Sequence, residues 1–243
     1  MKEKDKFGDL EDYYLNFYNK MPCSQSIFMN KILNKLSLKP KFFDRIFGQK
    51  DLGKEEKMIL EVGIGHGDHV RFEKFKRYIG IDTNLNNLLM IEKKVNSGKE
   101  IKSRLNVEVV NGDGLNLPLK SDFFSYIVMT CVAHHVNDVE KLFSELLRVI
   151  KKDEKSRIRI MVPTDPGLLF RIIREITQIP AAKKLGYKGY RLYIARDHRN
   201  HFTSIKEIAK YVFRDANIKI EYFPFRIPFH DMNTHAFFEI TFQ

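Results

Sequence analysis

Met58-Ile59-Leu60-Glu61-Val62 runs straight into Gly63-Ile64-Gly65-His66-Gly67-Asp68. The first five residues, apolar apart from one carboxylate, read as a buried strand. The glycines that follow let the backbone bend tightly and approach a ligand with no Cβ in the way. A pyrophosphate-binding turn of the Gly-x-Gly-x-x-Gly kind would place its third glycine at position 68, where Asp68 stands instead. A Gly-x-x-x-x-Gly-Lys-Ser/Thr phosphate loop is excluded at this site as well.

Outward from this turn, short apolar runs recur at 78–81 (YIGI), 107–110 (VEVV), 123–130 (FFSYIVMT) and 157–162 (RIRIMV). Between them, amphipathic stretches predict helices at about 67–77, 84–97 and 138–150. The last places Val139, Leu142, Phe143, Leu146, Leu147 and Ile150 on one face. Strands alternating with helices of this length predict βαβ units and a mostly parallel sheet covered on both faces. Pro163 to Gly167 reads as a turn and Leu168 to Ile179 as a helix. Ser204 with Glu207 three residues on is a capping-box signature for a helix to about Phe213. Two further strand-like runs lie near 218–223 and 235–242.

Residues 1–57 carry apolar positions at three- and four-residue spacings and read as an N-terminal helical cap. No repeat, low-complexity tract or linker divides the 243 residues. A single domain is expected, with a core at 58–162 and an acceptor-side insertion and C-terminal strands at 163–243. Lys+Arg 42 against Asp+Glu 31 gives a formal charge of +11, which favours anionic partners, whether nucleic acid, phosphorylated small molecules or acidic membrane. No apolar run approaches the roughly 18 residues needed to span a bilayer, and the first residues offer no signal-peptide core, so a cytoplasmic protein is expected. Cys23 and Cys131 permit one disulfide at most and are too few for a four-cysteine zinc site; two buried thiols are expected.

ILEVGIGHG at 59–67 resembles the first motif of the class I S-adenosylmethionine-dependent methyltransferases. The resemblance extends through YIGIDTN (78–84), NGDGLNLPL (111–119), FFSYIVMT (123–130) and DVEKLFSELLRVIKKDEKSRIRIMV (138–162), in the family's order. It implies a Rossmann-like fold with a mostly parallel seven-stranded sheet, and S-adenosylmethionine as cofactor. Gly63, Gly65 and Gly67 would pack against the methionine part, and Glu61 would orient its ammonium group. Asp82, 21 residues after Glu61, would accept the ribose hydroxyls, with Thr83 beside it. Asp113 would accept the adenine amine, flanked by Gly114 and Leu115, and Thr130 would border the methionine end.

The segment after the fourth strand borders the transferred methyl in this family. Here it reads Thr130-Cys131-Val132-Ala133-His134-His135. A histidine is suited to taking an alcohol's proton near neutral pH, so His134 and His135 are candidate bases. The alternative is that they cap the next helix or pack beneath the loop. The Asp/Asn-Pro-Pro-Tyr/Phe sequence typical of amide- and adenine-nitrogen methylation is missing. Cys131 follows threonine, whereas cytosine-C5 enzymes place their nucleophilic cysteine after proline.

From 183 to 199, Lys183, Lys184, Lys188, Arg191, Arg196 and Arg199 face Asp197 alone, which suggests a phosphate-bearing acceptor. Tyr187, Tyr190 and Tyr193 interleave with them, either to contact substrate or to cover the core. Candidate acceptor residues are Tyr190, Arg196, His198, Arg199 and His201, with Tyr14 and Tyr18 from the N-terminal segment. His198, His201 and Asp197 could be ligands, but further donors are limited to His230, Asp231 and His235, so no metal is expected. The texture of 163–203 resembles methyltransferases of bacterial surface-polysaccharide biosynthesis. The expectation is O-methylation of a small phosphorylated or nucleotide-linked capsule or polysaccharide precursor. The alternatives are an RNA methyltransferase, or a noncatalytic cofactor-binding partner subunit.

Overall fold

A computed structural model describes residues 58–67, 77–97, 106–187 and 189–243. The expected cap at 1–57, with Tyr14 and Tyr18, and most of the expected helix at 67–77 lie outside these residues.

The strands are β1 (Met58–Val62), β2 (Arg77–Asp82), β3 (Val107–Asn111), β4 (Tyr126–Thr130), β5 (Arg157–Pro163), β6 (Asn217–Phe223) and β7 (His235–Thr241). They form one sheet in the order β3-β2-β1-β4-β5-β7-β6. The pairs among β1 to β5 are parallel, and β7 runs antiparallel to both β5 and β6. This is the Rossmann-like class I methyltransferase sheet that the resemblance implies. The central strands β1, β4 and β5 are buried almost throughout, which is why they read as unbroken apolar runs. The edge strand β6 alternates between exposed and half-buried positions before ending in Tyr222 and Phe223.

Helices α1 (Leu85–Ser97), α2 (Val139–Val149), α3 (Leu168–Ile173), α4 (Ile179–Lys184), α5 (Tyr190–Asp197) and α6 (Phe202–Val212) accompany the sheet, with a π-helical stretch (Arg174–Gln178) joining α3 to α4 and a 3-10 turn at His230–Met232 before β7. Leu142, Phe143 and Leu146 of α2 join Phe202, Ile205 and Ala209 of α6 in a core with Leu60, Ile127 and Ile158. Leu88 and Ile91 of α1 and Ile173 of α3 belong to a second core with Ile59, Tyr78 and Val128. Alternate residues of each strand thus serve opposite cores, the period-2 consequence of the pleat. Gly80 makes one close approach possible: a Cβ there would lie 2.1 Å from Ile64 Cδ1, so the glycine lets the turn after β1 settle onto the sheet. No described helix is long and apolar enough to cross a membrane.

Several expectations need correction. The fourth strand starts at Tyr126 rather than 123: Asp122, with φ 51°, turns the chain, and the Phe123 and Phe124 amides donate to Val149 O at the end of α2. The turn expected at 163–167 is shorter, because Pro163 still pairs with His235 in the sheet. Ser204 caps nothing. The helix begins at Phe202, whose buried ring anchors its first turn, and Glu207 instead pairs with Lys206 and Lys210 along the helix surface. The insertion at 180–203 folds as α4 and α5 around a small core of Ile179, Ala182, Tyr190, Tyr193 and Ile194.

Candidate active site

Strand order reverses between β1 and β4, so the connections leave the sheet in opposite directions and open a crevice at the carboxyl ends of the strands. It has a volume of about 610 Å³, in the range of small-molecule and cofactor sites. Gly63 and Gly65 form its floor after β1, and Asp82 and Thr83 its wall after β2. Asp113 and Gly114 follow β3, and Thr130, Cys131 and His135 follow β4.

The glycine turn has a specific geometry. Gly63, Gly65 and Gly67 have φ of 73°, 52° and 69°, conformations that side-chain-bearing residues avoid. The Gly63 and Ile64 amides donate to Ile81 O, which ties the turn to the neighbouring strand. The Gly65 amide donates to Asp82 Oδ2 at 2.8 Å, while Asp82 Oδ1 accepts from the Asn84 amide at 2.8 Å. One carboxylate therefore braces both the turn and the start of α1, and it remains half-exposed on the crevice wall.

On the β3 side, Asp113 is exposed, and its Oδ1 accepts from the Leu115 amide at 2.9 Å. The loop that carries it is clamped from α2. Arg148 donates to Leu117 O at 2.9 Å and Leu119 O at 2.8 Å, and Glu145 Oε2 accepts from the Leu117 amide at 2.7 Å. The Arg148 partner holds the Glu145 carboxyl below its usual pKa.

Among the residues expected to hold the cofactor, Gly63, Gly65, Asp82, Thr83, Asp113, Gly114 and Thr130 line the crevice. Glu61 does not. It is fully buried and its Oε2 accepts from the Tyr78 hydroxyl, a bond that pins β1 to β2. Gly67 is buried against Ile91 and closes the turn by donating to Ile64 O. Leu115 packs against the core beneath the loop. Sequence reasoning missed the asparagine-rich start of α1, where Asn84, Asn86 and Asn87 line the crevice. Its signal was the Asp82-Thr83-Asn84 run, with Asn84 Oδ1 accepting from the Asn86 amide as a helix-initiating side chain does.

At the β4 end, Cys131 is half-buried on the crevice wall with φ 56°, not the fully buried residue expected. His135 lines the crevice, whereas His134 is 4% exposed and lies behind it. Their rings are 3.8 Å apart, and the His198 ring lies 4.5 Å from His134 and 5.4 Å from His135. His135 Nδ1 lies 3.1 Å from Asp197 Oδ1, and His198 Nδ1 lies 2.7 Å from Asp165 Oδ2, which also takes Arg174 Nη1 at 3.0 Å. Burial alone would raise the Asp165 carboxyl. The His198 hydrogen bond and the Arg174 charge outweigh it and leave the group below its ordinary pKa. Burial, with the neighbouring histidines, pushes His134 well below the usual imidazole value.

A tether brings these side chains together. The Arg199 and Asn200 amides donate to His134 O at 2.8 and 3.2 Å, and Asn200 Nδ2 donates to Ala133 O and Val136 O at 3.2 and 2.7 Å. Asn200 and Asp165 were missed as site residues, since their partners lie far away in sequence, and Asp197 was weighed only as a metal ligand. Arg196, Arg199 and His201 are exposed on the same connection. Tyr190, expected to contact the acceptor, is buried in the small α4–α5 core and donates to Gln178 Oε1 at 3.0 Å. His201 stays out of the histidine group, with its carbonyl accepting the Ile205 amide at the start of α6.

Residues 60–155 match the family model described as a methyltransferase domain. An uncharacterized methyltransferase of Bacillus subtilis, YcgJ, is 29% identical over 137 residues, 51% of this chain and 53% of that protein. The chain thus spans about half the length of the curated relative it matches. A solved S-adenosylmethionine-dependent methyltransferase from Archaeoglobus fulgidus superposes with a TM-score of 0.60 over 95% of this chain and 100% of its own, at 17% identity. A possible histamine N-methyltransferase from Thermotoga maritima gives 0.58 over 96% and 99%, at 14% identity. At these identities the likeness is one of fold. Sheet order and glycine turn are those of the class I methyltransferase fold, and residues 60–155 carry the match to a methyltransferase domain. Its cofactor is S-adenosylmethionine.

Proposed function

We propose that the protein transfers the methyl group of S-adenosylmethionine to an oxygen of a small anionic acceptor, of the phosphorylated or nucleotide-linked kind used to build bacterial surface polysaccharides. In this reading the Gly63–Gly65 turn takes the methionine part, Asp82 and Thr83 the ribose, and Asp113 and Gly114 the adenine. Asp82 has accepting capacity beyond its two backbone bonds, since a carboxylate offers about four lone-pair sites. Transfer from a sulfonium is an in-line displacement: the acceptor oxygen bonds the methyl carbon as the carbon–sulfur bond breaks. The protein's task is then to hold both in near-attack geometry and to exclude water.

The observation that carries the acceptor reading is the tether of Arg199 and Asn200 to His134 O. It joins a segment bearing exposed Arg196 and Arg199 to the crevice end where His135 stands. Guanidinium groups match phosphate oxygens, and an imidazole oriented by Asp197 is suited to a hydroxyl's proton. A cytoplasmic site of action and the histamine type of acceptor are not needed for this reading.

The test is to incubate the protein with methyl-labelled S-adenosylmethionine and an extract of its source, then to size the labelled product with and without nuclease. Label in small, nuclease-resistant, phosphorylated material is expected. Label in large nuclease-sensitive material would replace this acceptor with RNA, to which a +11 chain is also drawn. Cofactor binding without any transfer would make the chain a noncatalytic partner subunit.

A further inference from the structure

We propose that His134, His135 and His198 form a binding site for a divalent transition metal of the zinc type, built at the acceptor end of the crevice. One candidate ligand atom from each of the three lies within 4.8 Å of the other two. Three nitrogens around a tetrahedral zinc stand about 3.4 Å apart, given bonds of about 2.0 to 2.1 Å. Small rotations of the rings close that difference.

Two of the imidazoles are oriented in the manner of metal ligands. The side chain and the carbonyl of Asp197 take His135 Nδ1 at 3.1 and 3.2 Å, and Asp165 takes His198 Nδ1 at 2.7 Å. A carboxylate on one ring nitrogen fixes the tautomer, so that the lone pair falls on Nε2, and it strengthens that nitrogen as a donor. Both carboxylates are buried, at 7% and 9% exposure, so these bonds persist without competition from water. The third histidine supplies an independent sign of a missing ligand. His134 is buried, and its Nδ1 has no hydrogen-bond partner among the described residues. A buried polar atom left unpaired is uncommon and costly, and coordination is one way to satisfy it. Three neutral imidazoles select zinc and its late first-row neighbours over magnesium or calcium, which prefer oxygen donors.

The sequence argued against a metal by looking for it in the wrong place. His198 and His201 are close in sequence, but the helix start carries His201 away, and the tether through Arg199 and Asn200 brings His198 to His134 and His135 instead. The cluster meets the crevice through His135. A three-nitrogen site keeps a position open for water or substrate. Its use rests on the methyl-transfer reading: an acceptor hydroxyl bound there loses its proton to solvent and attacks the methyl as an alkoxide, with His135 a ligand rather than the base.

The experiment uses the full, untagged chain stripped with a chelator. Zinc alone is titrated against a chromogenic competitor, and cobalt alone is followed by its visible absorption. One zinc equivalent and intense tetrahedral cobalt bands are expected. His198→Ala should weaken zinc at least about tenfold. Asp165→Asn, which keeps the shape and removes the charge, should weaken it about 10- to 100-fold. S-adenosylhomocysteine binding, measured on the same samples, should change less than about twofold, which shows the variants are folded. No zinc uptake by the stripped wild type, or uptake indifferent to both substitutions, overturns the proposal. Zinc uptake without S-adenosylhomocysteine binding would instead overturn the methyltransferase reading and leave the metal site standing.

Discussion

Gly65→Ala and Gly63→Ala place the same methyl group two residues apart in one turn, and the structure assigns them opposite consequences. At Gly65 the added Cβ would meet no atom of the described residues within 4 Å, so its cost to folding there is the φ of 52° alone. That amounts to roughly 1 to 2 kcal/mol. At Gly63 the φ is 73° and the Cβ would lie 2.2 Å from Val132 Cγ2. Strain and overpacking together should cost about 2 to 5 kcal/mol. The empty space at Gly65 is the crevice itself, so its methyl group should collide with the cofactor instead. Urea unfolding and calorimetric titration with S-adenosylhomocysteine separate the two effects. Gly65→Ala should lose at least about tenfold in affinity with modest loss of stability. Gly63→Ala should lose mainly stability, recovered in part by adding Val132→Ala. Unimpaired binding by Gly65→Ala, or equal destabilisation by both, would refute the assignment of this turn to the ligand.

Further outcomes follow from the supports around the crevice. Burial lowers His235 from 6.5 to about 4, so between those values the unfolded chain binds the proton and the folded one does not. Stability should therefore fall by about 3 kcal/mol as pH drops through that window, and His235→Gln should lack this component when urea midpoints are compared across pH. Asn200→Ala leaves the Ala133 and Val136 carbonyls without their amide donor. A loss of about 1 to 3 kcal/mol is expected in urea unfolding, with S-adenosylhomocysteine affinity little changed; an unaffected midpoint would show that the tether carries no strain. Arg148→Ala should loosen the loop that bears Asp113 and weaken S-adenosylhomocysteine by about three- to tenfold in calorimetry, with thermal stability lowered as well.

The parallel core was legible because β1, β4 and β5 are buried on both faces and therefore read as continuous apolar runs. Asp82 was legible for a related reason: the length of one strand-helix-strand unit sets its distance from the glycine turn. Tyr190 misled because a short helix rich in arginine hides its partners, Ile179 and Ala182, in a neighbouring helix rather than in its own periodicity. Ser204 carried a valid local signal that the burial of Phe202 overrode. Asp165 and Asn200 could not be read at all as site residues, and Asp197 only as a candidate metal ligand. Their roles depend on contacts across 33 to 67 positions of chain, which only folding brings together.

The account rests on a crevice built for S-adenosylmethionine and braced by one carboxylate. Calorimetric titration of the wild type and Asp82→Ala with S-adenosylhomocysteine tests it most directly. One site per chain, weakened at least about tenfold by the substitution, is the expected result, because Asp82 holds the Gly65 amide and, in the proposed reading, takes the ribose. A wild type that takes up no ligand, or an Asp82→Ala protein that binds as tightly as the wild type, would contradict it.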